Sequence, residues 1–366
     1  PHRKATETMP ELHSIESALA PLRWNKARVK LLAAAVVALL SAQSVNLTKL
    51  ALLLPTDAKV ASAYKRLQRF LANFDPDMDS FARLLAALCR LAPPWNLAMD
   101  RTNWKLGAAH LNLLVLCVVD QHISFPLLWL SLNRQGRGKA GNSNAAERVA
   151  LMERFVRLFG PSSCRCLRAD REFASRQWLQ WMEGNAIGYQ LRLKGDVLVG
   201  DSQGRMCCAD WLFRDCPVQR ERVLGFRRVL GSVRFVTGTR LAEGGYLIVV
   251  SDVERPLSEY WLRWGIECMF GAFKRRGFQL EDTHVTCADR LERLLMFLSL
   301  AYTWAGVCGM WEMARSPSLR RLKSHGRAEV SVLRLGLDYL RPIVLRLCRS
   351  VSDCEADSAT RFLSCT

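Results

Sequence analysis

The spacing of apolar residues changes period along the chain, and each change predicts a different kind of element. From residue 25 to 92 the spacing is helical. "NKARVKLLAAAVVALLSAQ" predicts one helix with basic residues at its start, "VNLTKLALLL" a short second one, and "SAYKRLQRFLANF", after a break at Pro55, a third. In the third, Leu67, Phe70 and Leu71 can pack, while Lys65, Arg66 and Arg69 form a basic face. A short helix, a turn and a basic helix are compatible with a helix-turn-helix-like DNA-binding unit, and equally with a solvated basic face. "DPDMDS" (75 to 80) has the outline of a calcium loop, but Ser80 and Ala86 stand where Gly and Glu would be needed, so it reads as a helix start.

From Trp95 the period shortens. "NLAMDRTNW", "LNLLVLCVVD" and "ISFPLLWLSL" predict three successive strands, the middle one apolar throughout and therefore interior to a sheet. A polar loop, "NRQGRGKAGNSN", leads into the amphipathic helix "AAERVALMERFVRLFG" and then a fourth strand, "CRCLRAD". The loop is no phosphate cradle, because Asn142 stands where a Lys would be required after Gly136 and Gly141. Residues 186 to 251 alternate short strands ("IGYQLRLKGD", "VRFVTGT", "YLIVVSD") with turns, and a helix-rich tail follows from Glu259, broken at Pro317 within the basic stretch "ARSPSLRRLKSHGR".

One stretch departs from simple amphipathicity. "YWLRWGIECMFGAFK" (260 to 274) carries Tyr260, Arg263, Glu267 and Lys274 through an otherwise core-like run. On a single helix, offsets of three, seven and fourteen from Tyr260 point to about 300°, 340° and 320°, so the four polar groups share a stripe roughly 60° wide. Such a stripe is either paired internally, Arg263 to Glu267 at i, i+4, or built around a ligand with charges of both signs.

Composition then narrows the partners. The 366 residues are 50% hydrophobic, enough for two or three domains with a sizeable core. Lys and Arg number 52 against 34 acids, a formal charge of +18, which points to a polyanion: nucleic acid first, an anionic membrane surface second. The apolar runs "LLAAAVVALL" (31 to 40) and "LLMFLSLAYTWAGVCGM" (294 to 310) are short or marginal for spanning and read as buried helices. "PHRKATETMPELHS" at the start has no apolar signal segment, giving the expectation of a cytoplasmic protein. The 13 cysteines include no C-x-x-C pair, so they read as reduced thiols and not as a disulfide framework or a zinc site.

Three acids stand out by position. Asp100 interrupts the first strand, Asp170 ends the fourth, and Glu267 lies in the polar stripe. Two strand aspartates and a helix glutamate can converge at one edge of a sheet and hold hard divalent cations through oxygen. That suits two Mg²⁺ ions flanking a phosphodiester.

The order Asp, Asp, Glu, with a β-rich segment between the last two, and the spacing Y-(2)-R-(3)-E-(6)-K in Tyr260, Arg263, Glu267 and Lys274 resemble the DDE transposases of bacterial cut-and-paste insertion sequences. The resemblance runs from about residue 25 to about 310. It implies an α/β fold: a ribonuclease H-like core of mixed sheet and helices, interrupted by a β-rich insertion and flanked by helical N- and C-terminal regions. The expected domains are 1–92, DNA-binding; 93–189 and 252–310, the two parts of the core; 190–251, the insertion; and 311–366, for dimer and DNA contacts. The resemblance further implies that Asp100, Asp170 and Glu267 bind two Mg²⁺, with Mn²⁺ as a substitute, and that Tyr260, Arg263 and Lys274 touch the DNA backbone. It implies double-stranded DNA partners, transposon ends and target, and a synaptic homodimer in a bacterial, nucleoid-associated setting, with no nucleotide cofactor and no membrane. Trp211 is a candidate for stacking on a flipped base, and Phe213, Phe226 and Phe235 read as core of a small β subdomain. The sequence departs from the family where Glu172, not a small residue, follows Asp170 and Arg171; Glu172 is an additional outer carboxylate or the start of the next helix. A nuclease without strand transfer and a catalytically inactive DNA-binding protein are the rival expectations.

Overall fold

The computed structural model describes residues 19, 22, 24–106, 109–132, 142–316, 319, 321–323 and 328–353. The N-terminal segment 1–14, Gly136 and Gly141 of the polar loop, and Pro317 lie outside the described residues. The chain divides into two compact units: residues 1–91 together with 269–366, and residues 92–268.

The first unit is helical. Its N-terminal part consists of α1 (Lys26–Ala42), α2 (Leu47–Leu53), α3 (Val60–Asn73) and α4 (Met78–Leu88). Local chemistry sets these boundaries. The Asn25, Asn46 and Asp77 side chains accept from the first free N–H groups of α1, α2 and α4, and α1 ends where Gln43 turns left-handed. Asp77 in this role turns "DPDMDS" into a helix start. On α3, Leu67, Phe70 and Leu71 are buried, and Lys65, Arg66 and Arg69 are exposed. Phe70 packs on Phe297 of the long helix Ala288–Arg315, with ring centroids 5.1 Å apart, and Arg293 of that helix donates to the Leu71 carbonyl. Among the described residues, Ala288–Arg315 is the one single helix long and apolar enough to cross a membrane. Its most apolar window is 89% buried within the protein, as in a core helix.

The second unit is built on one ten-stranded sheet of order β3-β2-β1-β4-β5-β10-β9-β8-β6-β7. The strands are β1 (Trp95–Leu106), β2 (Ala109–Val119), β3 (Ser124–Ser131), β4 (Cys164–Ala169), β5 (Tyr189–Arg192), β6 (Leu198–Gly200), β7 (Met206–Cys208), β8 (Arg222–Val229), β9 (Ser232–Arg240) and β10 (Tyr246–Ser251). β2 is antiparallel to β1 and β3, whereas β4 runs parallel to both β1 and β5. In this order and these directions the first five strands have the mixed-sheet arrangement expected of a ribonuclease H-like core. β2, apolar without interruption from Leu113 to Val119, is interior, as its pattern requires, and Pro126 is tolerated in β3 because that strand is the sheet edge. The helices of this unit are α5 (Ala145–Phe159), α6 (Arg176–Gly184), α7 (Ala209–Leu212), α8 (Leu257–Tyr260) and the first part of α9 (Trp264–Gly271), within which the unit ends at Cys268. α5 begins at a reciprocal capping box between Asn144 and Glu147.

Two expectations change here. The segment 190–251 is not a separate small β subdomain: β10 pairs antiparallel with β5, so the inserted strands extend the core sheet. Pairing satisfies an edge of β5 that would otherwise expose its backbone donors and acceptors. The stretch 260–274 is not one regular helix: it passes from α8 through a 3-10 turn (Trp261–Arg263) into α9 and then a π-helical turn (Ala272–Arg276). Changes of helical gauge shift the angle per residue, so the narrow stripe calculated for a uniform helix does not hold across its length.

Candidate active site

Sheet register builds the site. In the parallel pair β1 and β4, Met99 lies opposite Ala169, and in β4 and β5, Ala169 lies opposite Leu191. The next residues in each strand direction are therefore neighbours across the sheet: Asp100, Asp170 and Arg192. Arg192 Nη1 stands 3.6 Å from Asp170 Oδ1, an ion pair too long for a hydrogen bond, and that buried oxygen has no hydrogen-bond partner. The Arg101 backbone N–H donates to Asp100 Oδ1 at 2.8 Å.

Glu267 arrives from the first turn of α9. The helix approaches the sheet closely at Gly265, where a Cβ would collide with Ser124 Oγ at the start of β3. One turn earlier, Arg263 reaches back with both arms: Nη1 donates to Asp100 Oδ2 at 3.2 Å and Nη2 donates to Glu267 Oε1. The internal pairing open at the sequence level is thus present, and it extends to the strand aspartate. Burial pushes the Asp100 carboxyl up to about 6; the Arg101 N–H and the Arg263 guanidinium oppose the rise, and Glu267 and Asp170 add to it. The acids therefore sense one another. Among the described residues, no group of three or more His, Cys, Asp and Glu side chains is spaced to hold a single metal ion, with the Arg263 guanidinium lying between Asp100 and Glu267.

A second layer holds these groups in place. Arg168, fully buried in β4, donates from Nε to Gln190 of β5 at 2.9 Å, from Nη1 to Asn96 of β1 at 2.9 Å and from Nη2 to Glu259 of α8 at 2.8 Å. Three strands and the start of the 257–271 segment are tied by one guanidinium. Arg101 faces Glu172 at 3.4 Å through two nitrogens and also reaches Asn112 and Asn142. Arg148 of α5 donates to the Glu172 carbonyl at 3.0 Å and lies over the Phe173 ring. Glu172 therefore belongs to the 3-10 turn after Asp170 (Arg171–Phe173) and ties that turn to β1 through Arg101.

The remaining expected residues fall elsewhere. Tyr260 is 3% exposed, packs with Leu247, Val249 and Leu257, and donates its hydroxyl to the Ala169 carbonyl at 3.3 Å. Its one donor is committed to the residue before Asp170. Lys274 is half-buried in the helical unit, where burial lowers its pKa. Trp211 on α7 is 47% exposed with the Arg214 guanidinium 3.7 Å from its ring centroid. Phe213 is buried as core, but Phe226 is 77% exposed beside Phe235, against the core reading. Sequence reasoning missed Arg168, Arg192 and Arg101. The signal for Arg168 was a cation inside a strand whose other positions are nearly all buried.

The model of one protein family, described as "Transposase DDE domain", matches residues 96–304. No curated protein matches the chain. Among solved structures, the chain is similar to a piggyBac transposase in a synaptic complex with hairpin DNA, at 9% identity and a TM-score of 0.45, over 83% of this chain and 64% of that one. It is also similar to an endonuclease V from Bacillus subtilis, at 10% identity and a TM-score of 0.25, over 62% of this chain and 92% of that one. The chain thus spans less than two thirds of the length of the piggyBac chain.

Proposed function

We propose that this chain, which belongs to the family of transposase DDE domains, binds the terminal inverted repeats of a transposable element, cleaves DNA there and joins the freed 3′ hydroxyl to target DNA. The observation that supports this most is the register that sets Asp100 beside Asp170, with Glu267 tied to Asp100 through one guanidinium.

Asp100, Asp170 and Glu267 are the residues that would hold divalent cations. An all-carboxylate donor set suits two Mg²⁺, with Mn²⁺ as a substitute, and Asp170 Oδ1, buried without a hydrogen bond and held only by the long ion pair to Arg192, is an oxygen a cation would satisfy. Such ions, when bound, stabilise charge on the phosphodiester oxygens and make a coordinated water more acidic. The protein's own contribution is placement. The Arg101 N–H orients Asp100, Tyr260 and Arg192 fix the end of β4 at Asp170, and Arg168 sets the start of the segment that brings Arg263 and Glu267 to the sheet. Arg263 and Lys274 would contact backbone phosphates, Lys65, Arg66 and Arg69 the duplex of the transposon end, and Trp211 an unstacked base. Double-stranded DNA, as transposon end and as target, is the partner class, with a second copy of the chain in the synaptic complex and no nucleotide cofactor. The helical segments 1–92 and 311–366 would serve DNA recognition and dimer contacts, in the bacterial cytoplasm at the nucleoid.

The test is cleavage of a supercoiled plasmid carrying the element's own flanking repeats, with Mg²⁺, by the native chain and by Glu267→Gln. Cuts at the repeat ends that vanish in the variant while DNA binding survives are the expected result. Binding by both without cutting, in Mg²⁺ and in Mn²⁺, would sink the catalytic reading. A pre-cut end that is never joined to a plasmid would leave a nuclease without strand transfer.

A further inference from the structure

We infer that Arg263 competes with divalent cations for the carboxylates of the active site, so that cations bind weakly until a DNA phosphate draws the guanidinium away. The inference rests on the reading of Asp100, Asp170 and Glu267 as cation ligands. Its basis is which atoms are engaged. Arg263 occupies Asp100 Oδ2 through Nη1 and Glu267 Oε1 through Nη2, one oxygen from each of the two elements that meet at the site. A cation bridging the strand and the helix would use oxygens of these same carboxylates. The guanidinium and the cation both carry positive charge, so full occupancy of the site by both is opposed by their repulsion as well as by the shared lone pairs.

Arg263 is well suited to moving between two anions. It is 7% exposed, yet its Nε–H has no hydrogen-bond partner, so the side chain is held by two of its three donor groups. Arg168, one layer away in the same unit, uses all three. Tyr260 lies against Arg263, its ring centroid 5.7 Å from the guanidinium carbon. A phosphate diester offers the fork geometry that a guanidinium matches best. Exchange of carboxylate for phosphate would free Asp100 and Glu267 together. By linkage, DNA should then tighten cation binding, and cations should tighten DNA binding by the same factor. Cutting in the absence of the correct DNA would be suppressed by the same bond.

The experiment is Mn²⁺ binding to the full chain, followed by the loss of the free Mn²⁺ spin-resonance signal, with and without duplex DNA. Without DNA, Arg263→Gln should bind Mn²⁺ on the order of tenfold tighter than the native chain, the scale of one charge-assisted hydrogen bond. Arg263→Lys, which keeps the charge but cannot fork to both carboxylates, should fall between. Saturating duplex should tighten Mn²⁺ on the native chain by about the same tenfold factor and have a smaller effect on Arg263→Gln. Equal or weaker Mn²⁺ binding by Arg263→Gln, with Asp100→Asn abolishing binding, would overturn the competition and leave the cation site standing. Unchanged Mn²⁺ binding in both Asp100→Asn and Glu267→Gln would remove the cation site itself. Should Arg263→Gln not fold, Arg263→Lys and the duplex titration of the native chain decide, since no effect of DNA on Mn²⁺ affinity contradicts the competition.

Discussion

Arg168 and Arg263 are two buried guanidiniums that join the same sheet to the same 257–271 segment, and their surroundings differ in kind. Arg168 is fully buried and directs its three donor groups at Gln190, Asn96 and Glu259. It faces one carboxylate and two amides, close to neutrality, with every nitrogen group engaged. Arg263 faces two carboxylates with a third nearby, and neither its Nε–H nor the neighbouring Asp170 Oδ1, which has only the long ion pair to Arg192, makes a hydrogen bond. A satisfied polar network fixes geometry, and an incomplete one marks a place where a further ligand can enter.

The largest expected effect separates the two. Arg168→Met should lower stability by about 2–4 kcal/mol, because it strands Gln190 and Asn96 away from water and unpairs Glu259. Thermal denaturation would show this as a clear fall in Tm; an unchanged Tm would break the distinction between the networks. Next comes Glu183, which accepts from Arg234, Tyr189 and Ser232 in a third, satisfied network. Burial alone would raise the Glu183 carboxyl, but the hydrogen bonds from Arg234 and Tyr189 outweigh it and hold the pKa below the usual value of 4.5. Since the folded pKa is depressed, the stabilisation is present above pH 4.5 and is lost as the pH falls through the folded value. Glu183→Gln should therefore cost about 1–2 kcal/mol near pH 7 and progressively less in acid. A difference from the native chain that stayed constant down to acid pH would contradict this. Arg263→Gln should cost only about 1 kcal/mol, since it removes a partly bonded cation from among carboxylates that repel one another. The smallest effect belongs to Glu172→Gln, whose contacts to Arg101 at 3.4 Å are long, at less than about 1 kcal/mol. A Tm change there as large as for Arg168→Met would show that the brace behind Asp170 is part of the fixed frame.

What could be read from the sequence was local. The helix start at "DPDMDS", the apolar run of β2 from Leu113 to Val119 and the strand before Asp170 depend on neighbours within a few residues, and their chemistry is visible there. Asp100 and Asp170 stood out because a charge in or at the end of an apolar strand is costly unless it has a task, and Glu267 because it lay in the polar stripe of a core-like run. The pairing of β10 with β5 was not legible, because Ser251 meets Gln190 only through the whole intervening segment. The burial of Tyr260 was hidden by the assumption of one uniform helix, which the 3-10 turn at Trp261–Arg263 breaks. Arg192 looked like one more cation in a chain of charge +18; only the register of three parallel strands places it beside Asp170.

The central claim is that Asp100, Asp170 and Glu267 act as one unit on DNA. Its most direct test is the Mg²⁺-dependent rate of cutting at the repeat ends by Asp100→Asn, Asp170→Asn, Glu267→Gln and the double variant Asp100→Asn/Glu267→Gln, each shown to bind DNA. Each single change should reduce the rate on the order of 10³-fold or more, and the double change should cost no more than either single one, as for groups that function only together. A single variant that cuts at close to the native rate, or losses that multiply in the double variant, would contradict it.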